Sequence, residues 1–105
     1  MRPVVAILVF PDVEVLDFAG PFEVFAVADE LGGHQVFDVL TVSPDPGPVR
    51  ARNGLRLLPD HTLDSCPPPA DLVVPGGFGT RALARDERTV AWIRSASAKA
   101  EIVMS

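Results

Sequence analysis

Cysteine is nearly absent from this chain. Cys66 is the only one among 105 residues, so no internal disulfide can form, and the cytoplasm is the expected compartment. Basic residues are scarce as well, 9 against 14 acidic ones for a net charge of −5. No block of Lys or Arg makes a patch, which argues against binding a nucleic-acid backbone. The acidic balance mainly favours solubility. The apolar run "VVAILVF", residues 4 to 10, is too short to span a bilayer. Asp12, Glu14 and Asp17 follow it with no small-residue cleavage site, so neither a membrane anchor nor a signal peptide is expected. The two histidines, His34 and His61, have no partner at ligand spacing, and no metal site is predicted. There is no internal repeat, linker or low-complexity tract.

What is present is apolar material for a core: 48% hydrophobic residues against 22% charged. One domain is the natural reading of this length, and disorder is not expected. The run at 4 to 10 is β-branched and continuous, as in a strand covered on both faces. "PDVEVLDFAG" reads as a loop, and the pattern predicts a helix over "GPFEVFAVADELGG", with Pro21 at its first position and Gly32-Gly33 as its stop. "VFDVLTVS" (36 to 43) and "DLVVP" (71 to 75) read as further strands. Asn53-Gly54 between two short extended runs signals a hairpin. "SCPPPA" is a rigid loop. "DERTVAWIRSASAKA" reads as a helix capped by Asp86, with Val90, Ile93, Ser97 and Ala100 on one face, and "EIVMS" opens another strand. The order β-α-β-hairpin-β-α-β predicts an α/β domain with a mainly parallel sheet and helices on both faces. Ligands of such sheets bind beyond the carboxyl ends of the strands. Three places qualify: after Phe10, after Val74 and after Ser105.

Asp17 stands at the first of these. Apolar neighbours Leu16 and Phe18 would desolvate its carboxyl and suit it to acid/base work; the plainer alternative is a loop Asp bonded to nearby backbone N–H groups. Glu23 falls in the first turn of the predicted helix, where a carboxylate complements the dipole, and it is also a candidate second acid beside Asp17. "PGGFG", 75 to 79, permits close backbone approach to a ligand, but it is not the dinucleotide fingerprint and such turns are common. Cys66 lies beside Asp64, which would raise its thiol pKa, and reads as structural. Arg50, Arg52 and Arg56 read as a solvated face, and Trp92 and Phe37 as packing residues.

Taken together, "VAILVFPDVEVLDFAGPFEVFAVA", "NGLRLLPD", "DLVVPGGFGTRAL" and "AEIVMS" resemble the ThiJ/PfpI superfamily over nearly the whole chain. Within it the chain looks like isonitrile hydratases and like the N-terminal domains of AraC-type regulators. The resemblance implies a flavodoxin-like, class I glutamine amidotransferase-like three-layer fold. It implies that Asp17 faces a nucleophilic cysteine, and that Gly77 lines an oxyanion-type site with Gly76 and Phe78 beside it. Phe18, Leu16 and Phe78 would wall a small substrate pocket. In such relatives a strand like "EIVMS" runs into the turn that carries the nucleophile, so the chain is expected to be the N-terminal part of one domain, stopping just before that thiol. By itself it would then leave sheet faces uncovered and be insoluble or unfolded.

The activity implied first is hydration of an isonitrile to an N-substituted formamide, with no cofactor or metal. Ligand sensing in a transcriptional regulator is the second expectation. A protease-like, glyoxalase-like or chaperone activity is the third, although those branches tend to carry Glu where this chain has Asp17. The expected partners are a small-molecule substrate and a second copy of the chain.

Overall fold

A computed structural model describes residues 2–105. Its centre is β1, Val4–Leu8, which continues the chain's longest apolar run; Val5 through Phe10 are all at most 1% exposed. Burial on both faces is what a continuous run without alternation demands. Four strands join β1 in one parallel sheet. On one side lie β2, Asp38–Ser43, and the short edge strand β5, His61–Thr62; on the other lie β6, Asp71–Val73, and β7, Ile102–Met104. The order is β5-β2-β1-β6-β7, with Val5 opposite both Val39 and Asp71, and Val73 opposite Met104.

Helix α1, Val15–Leu31, returns the chain from β1 to β2, while α2, Thr80–Arg85, and α3, Glu87–Lys99, lead from β6 to β7. The two crossovers run in opposite directions from β1. With right-handed connections they put α1 on one face and α3 on the other. The result is the parallel α/β sheet with helices on both faces read from the residue pattern, in the three-layer, flavodoxin-like form that the family resemblance implied.

Several boundaries differ from expectation. Helix α1 begins at Val15, six residues before Pro21, which lies inside it. Tertiary packing overrides the Gly-Pro start signal, because Phe18 must reach the core, where it is 7% exposed. Hence Asp17, not Glu23, occupies the first turn. A short α2 precedes α3, and the edge strand β5 was not anticipated from sequence. On α3 the deepest residues are Thr89 and Ala96, with Trp92 and Ile93 packed beside them, a face rotated from the predicted one. Asp86 takes the cap position, but its carboxylate accepts from the Thr89 hydroxyl at 2.8 Å. That bond satisfies a fully buried polar side chain and holds the Asp86 carboxyl below its ordinary pKa.

The hairpin is present. Strand β3, Val49–Arg50, pairs antiparallel with β4, Arg56–Leu57, and Asn53 and Gly54 take φ of +65° and +95° in the turn between them. Phe37 packs edge-on against Phe25 with ring centroids 5.1 Å apart. No helix among the described residues is long and apolar enough to cross a membrane.

Candidate functional site

The carboxyl ends of β1, β6 and β7 meet at one rim. The loop after β1 folds against the loop after β6 through a bridge between Val13 and Gly77, reinforced by Glu14 N–H donating to the Gly76 carbonyl at 3.1 Å. Gly77 adopts φ +136°, and a Cβ there would stand 2.7 Å from the Asp12 carbonyl and the Glu14 nitrogen. Only glycine allows that approach. The loop is pinned from the other side by Thr80, whose hydroxyl donates to the Gly77 carbonyl at 2.9 Å.

Beside this junction is a recess of about 460 Å³. Leu16, Asp17 and Pro21 of α1 form one wall, Val73, Pro75 and Gly76 the floor, and Met104 of β7 with Ser105 just after it the far side. The side-chain alternation of β6 turns Val73 and Pro75 to the α1 face, and register brings Met104 alongside Val73. Asp17 Oδ2 lies 3.3 Å from where a Cβ on Gly76 would be. The glycine thus lets backbone and acid approach without a side chain between them. Pro21 has no N–H for the Asp17 carbonyl, which therefore lacks its helical donor on the same wall. Pro21, read from sequence only as a helix start, and Pro75 and Ser105 were not expected at the site; strand alternation and the i,i+4 relation of Asp17 to Pro21 were the signals available.

The structure brings Asp17, Gly76 and Leu16 together but leaves the remaining candidates elsewhere. Asp17 is itself exposed, Leu16 beside it is 77% exposed, and Phe18 turns away into the core. Phe18 and Glu23 line a different recess, about 340 Å³, on the opposite flank of α1 with Phe22, Leu57 and Asp60. Glu23 is mid-helix, so it is neither in a first turn nor beside Asp17. Gly77 holds the loop junction and is not among the residues lining the Asp17 recess. Phe78 is 68% exposed, with the Arg52 guanidinium 3.8 Å above its ring centroid. Arg52 is therefore not simply part of a solvated face.

The thiol of Cys66 is pushed up to about 11 by burial, not by Asp64, and donates to the Pro67 carbonyl at 3.3 Å. His34 sits 3.5 Å from Asp29, and His61 Nδ1 is 3.1 Å from the Ser65 hydroxyl.

A parallel α/β sheet with an acid-bearing recess at its carboxyl rim defines the class of this protein. More narrowly, residues 3–105 match the DJ-1/PfpI family, and the chain belongs to that family. It is 38% identical over 101 residues to the isonitrile hydratase of Pseudomonas putida, covering 96% of this chain and 42% of that protein. A ThiJ/PfpI family protein from Pseudomonas syringae superposes with a TM-score of 0.80 at 29% identity, over 98% of this chain and 41% of the other. A Vibrio parahaemolyticus protein described as a transcriptional regulator gives 0.81 at 22% identity, over 99% and 56% respectively, and so shares the fold. The chain thus spans less than half the length of that hydratase.

Proposed function

We propose that this chain carries the acid of an isonitrile hydratase-like active site. The observation that supports this most directly is that Asp17, Met104 at the end of β7 and Ser105 after it line one recess. A thiol one or two residues past Ser105, where the resemblance puts the nucleophile, would fall on the β7 side of this recess, whose volume of about 460 Å³ is room for a small ligand. The relationship to the Pseudomonas putida isonitrile hydratase supports the choice of reaction.

In the proposed sequence the thiolate adds to the terminal carbon of R-N≡C, and that carbon takes a proton from Asp17, giving a thioimidate R-N=CH-S. Water then adds to the thioimidate carbon, Asp17 takes one of its protons and so regains the one it gave, and the other proton passes from the new hydroxyl to nitrogen. Collapse of the tetrahedral adduct expels the thiolate and leaves R-NH-CHO. The two protons of one water end on carbon and nitrogen, so the reaction balances without a cofactor.

The test is turnover of phenyl isocyanide by the intact protein and by its Asp17→Asn variant. A loss of about 10²- to 10⁴-fold in kcat is expected, the usual range for a positioned proton-transfer group. Unchanged turnover removes Asp17 from the chemistry. Tight ligand binding without turnover in a chain that lacks a thiol at the β7 turn would favour the sensing role instead.

A further inference from the structure

Pro21 lies inside α1, past the first turn. At a first helical position a proline costs little, because its N–H would have no partner there. Inside the helix it removes a hydrogen bond and crowds the carbonyl four residues back, which here belongs to Asp17. A helical carbonyl points along the axis toward the residue four places on. The Asp17 oxygen therefore lies between Asp17 and Pro21, and both of these residues line the recess. Two other main-chain acceptors of the recess are already engaged. The Gly76 carbonyl accepts the Glu14 N–H at 3.1 Å, and the Met104 carbonyl accepts the Val74 N–H at 2.8 Å. The side chains of Leu16, Val73, Pro75 and Met104 are apolar and offer a ligand N–H little. A polar hydrogen brought among them needs an acceptor, since leaving it unpaired is costly.

We infer that Pro21 is a positioning residue: by withholding an N–H from the helix it keeps the Asp17 carbonyl open as the acceptor for an N–H on the ligand. One residue then serves the ligand twice, its carboxyl moving protons and its carbonyl holding the nitrogen. In the proposed reaction the isonitrile and the thioimidate have no hydrogen on nitrogen, whereas the tetrahedral adduct after proton transfer and the formamide do. An acceptor at that nitrogen holds the later species more tightly than the earlier ones, and so draws the thioimidate forward. A proline that weakens its own helix is thereby given a use on the wall where it stands. The inference rests on the Asp17 recess being the substrate site, but its test does not require turnover.

Calorimetric binding of formanilide, which has an N–H, and N-methylformanilide, which has none, to the intact protein and two variants tests this. Pro21→Ala and Pro21→Val both restore the helical donor, and Val also keeps an apolar wall of similar size. Both variants should bind formanilide about fivefold more weakly than the unaltered protein, the size of one neutral hydrogen bond, and N-methylformanilide equally well. Both should also melt no lower than the unaltered protein, because a helical bond is regained. Equal losses for the two ligands, or a loss in Pro21→Ala that Pro21→Val repairs, would reduce Pro21 to wall shape and overturn the inference. Lower melting of both variants would make Pro21 a residue of the fold, and would overturn it too, as would failure of formanilide to bind the unaltered protein. If phenyl isocyanide is turned over while the variants bind both ligands as the unaltered protein does, the hydratase reading stands and this inference fails. If turnover is absent while the Pro21-dependent preference for the N–H is found, the hydratase reading fails and this one stands.

Discussion

At position 76 a methyl group would stand 3.3 Å from the Asp17 carboxylate, and at position 77 it would stand 2.7 Å from two backbone atoms. Adjacent glycines therefore answer to different demands. Gly77 has φ +136°, so Gly77→Ala combines strain with a backbone clash and should cost about 1–3 kcal/mol. Gly76 does not have that backbone constraint. Gly76→Ala should shift the thermal midpoint little yet disturb ligand binding in the Asp17 recess, because the carboxyl must give way. Thermal melts and calorimetric titration of the two variants check this contrast; equal destabilisation would mean that Gly76 serves the loop rather than the site.

Among the elements, α1 depends on Asp29 at its far end. This carboxylate is 7% exposed, and its Oδ1 accepts the N–H groups of Val36 and Phe37 at 3.0 Å each. Oδ2 accepts from Arg2 at 3.1 Å. One side chain thereby ties α1 to the lead-in of β2 and to the residues before β1. The Phe37 N–H, then the Val36 N–H and the Arg2 charge, hold its pKa below the ordinary value against the opposing effect of burial. A folded pKa below the unfolded one, near 3.9, means that the stabilisation is present above that pH and is lost as pH falls through the folded value. Asp29→Asn should therefore melt lower than the unaltered protein at pH 7, with the gap closing below about pH 4. A gap independent of pH would mean that the carboxylate charge is not what matters.

Elements with a strong local pattern were the legible ones. The uninterrupted run at 4 to 10 announced a doubly covered strand, and Asn53-Gly54 announced a turn needing positive φ. The start of α1 was not legible, because Gly20-Pro21 is a sound local signal that the burial of Phe18 overrules. At the site, Asp17 and Gly76 were reachable from loop position and resemblance together. Phe18 and Phe78 were not: their identity suits a pocket wall, but only the helix phase and the Arg52 stack show that neither faces Asp17. Arg52 was read as part of a solvated face because its stacking partner, Phe78, is 26 positions away.

On the scale of the molecule, α1 is apolar nearly all round, which a helix with one covered face has no reason to be. Its inner side carries Phe18 and Phe25 toward the sheet. Its outer side leaves Leu16 at 77%, Val24 at 67%, Val27 at 38% and Leu31 at 83% exposure. At 100° per residue these four fall within about a quarter turn, so they form a stripe rather than a scatter. Scattered exposed aliphatics need no explanation, but a stripe along one helix marks a surface made to be covered. A homodimer, as the family resemblance leads one to expect, would supply a cover of the right chemistry, since a two-fold axis would set the stripe against its own copy. The intact protein is therefore expected to sediment as a dimer. Val24→Asp with Leu31→Asp should convert it to a monomer without loss of far-ultraviolet helical signal, because both side chains are already outside the core. A monomeric unaltered protein, or a dimer that survives both charges, would place the contact elsewhere and leave the stripe to some other occupant.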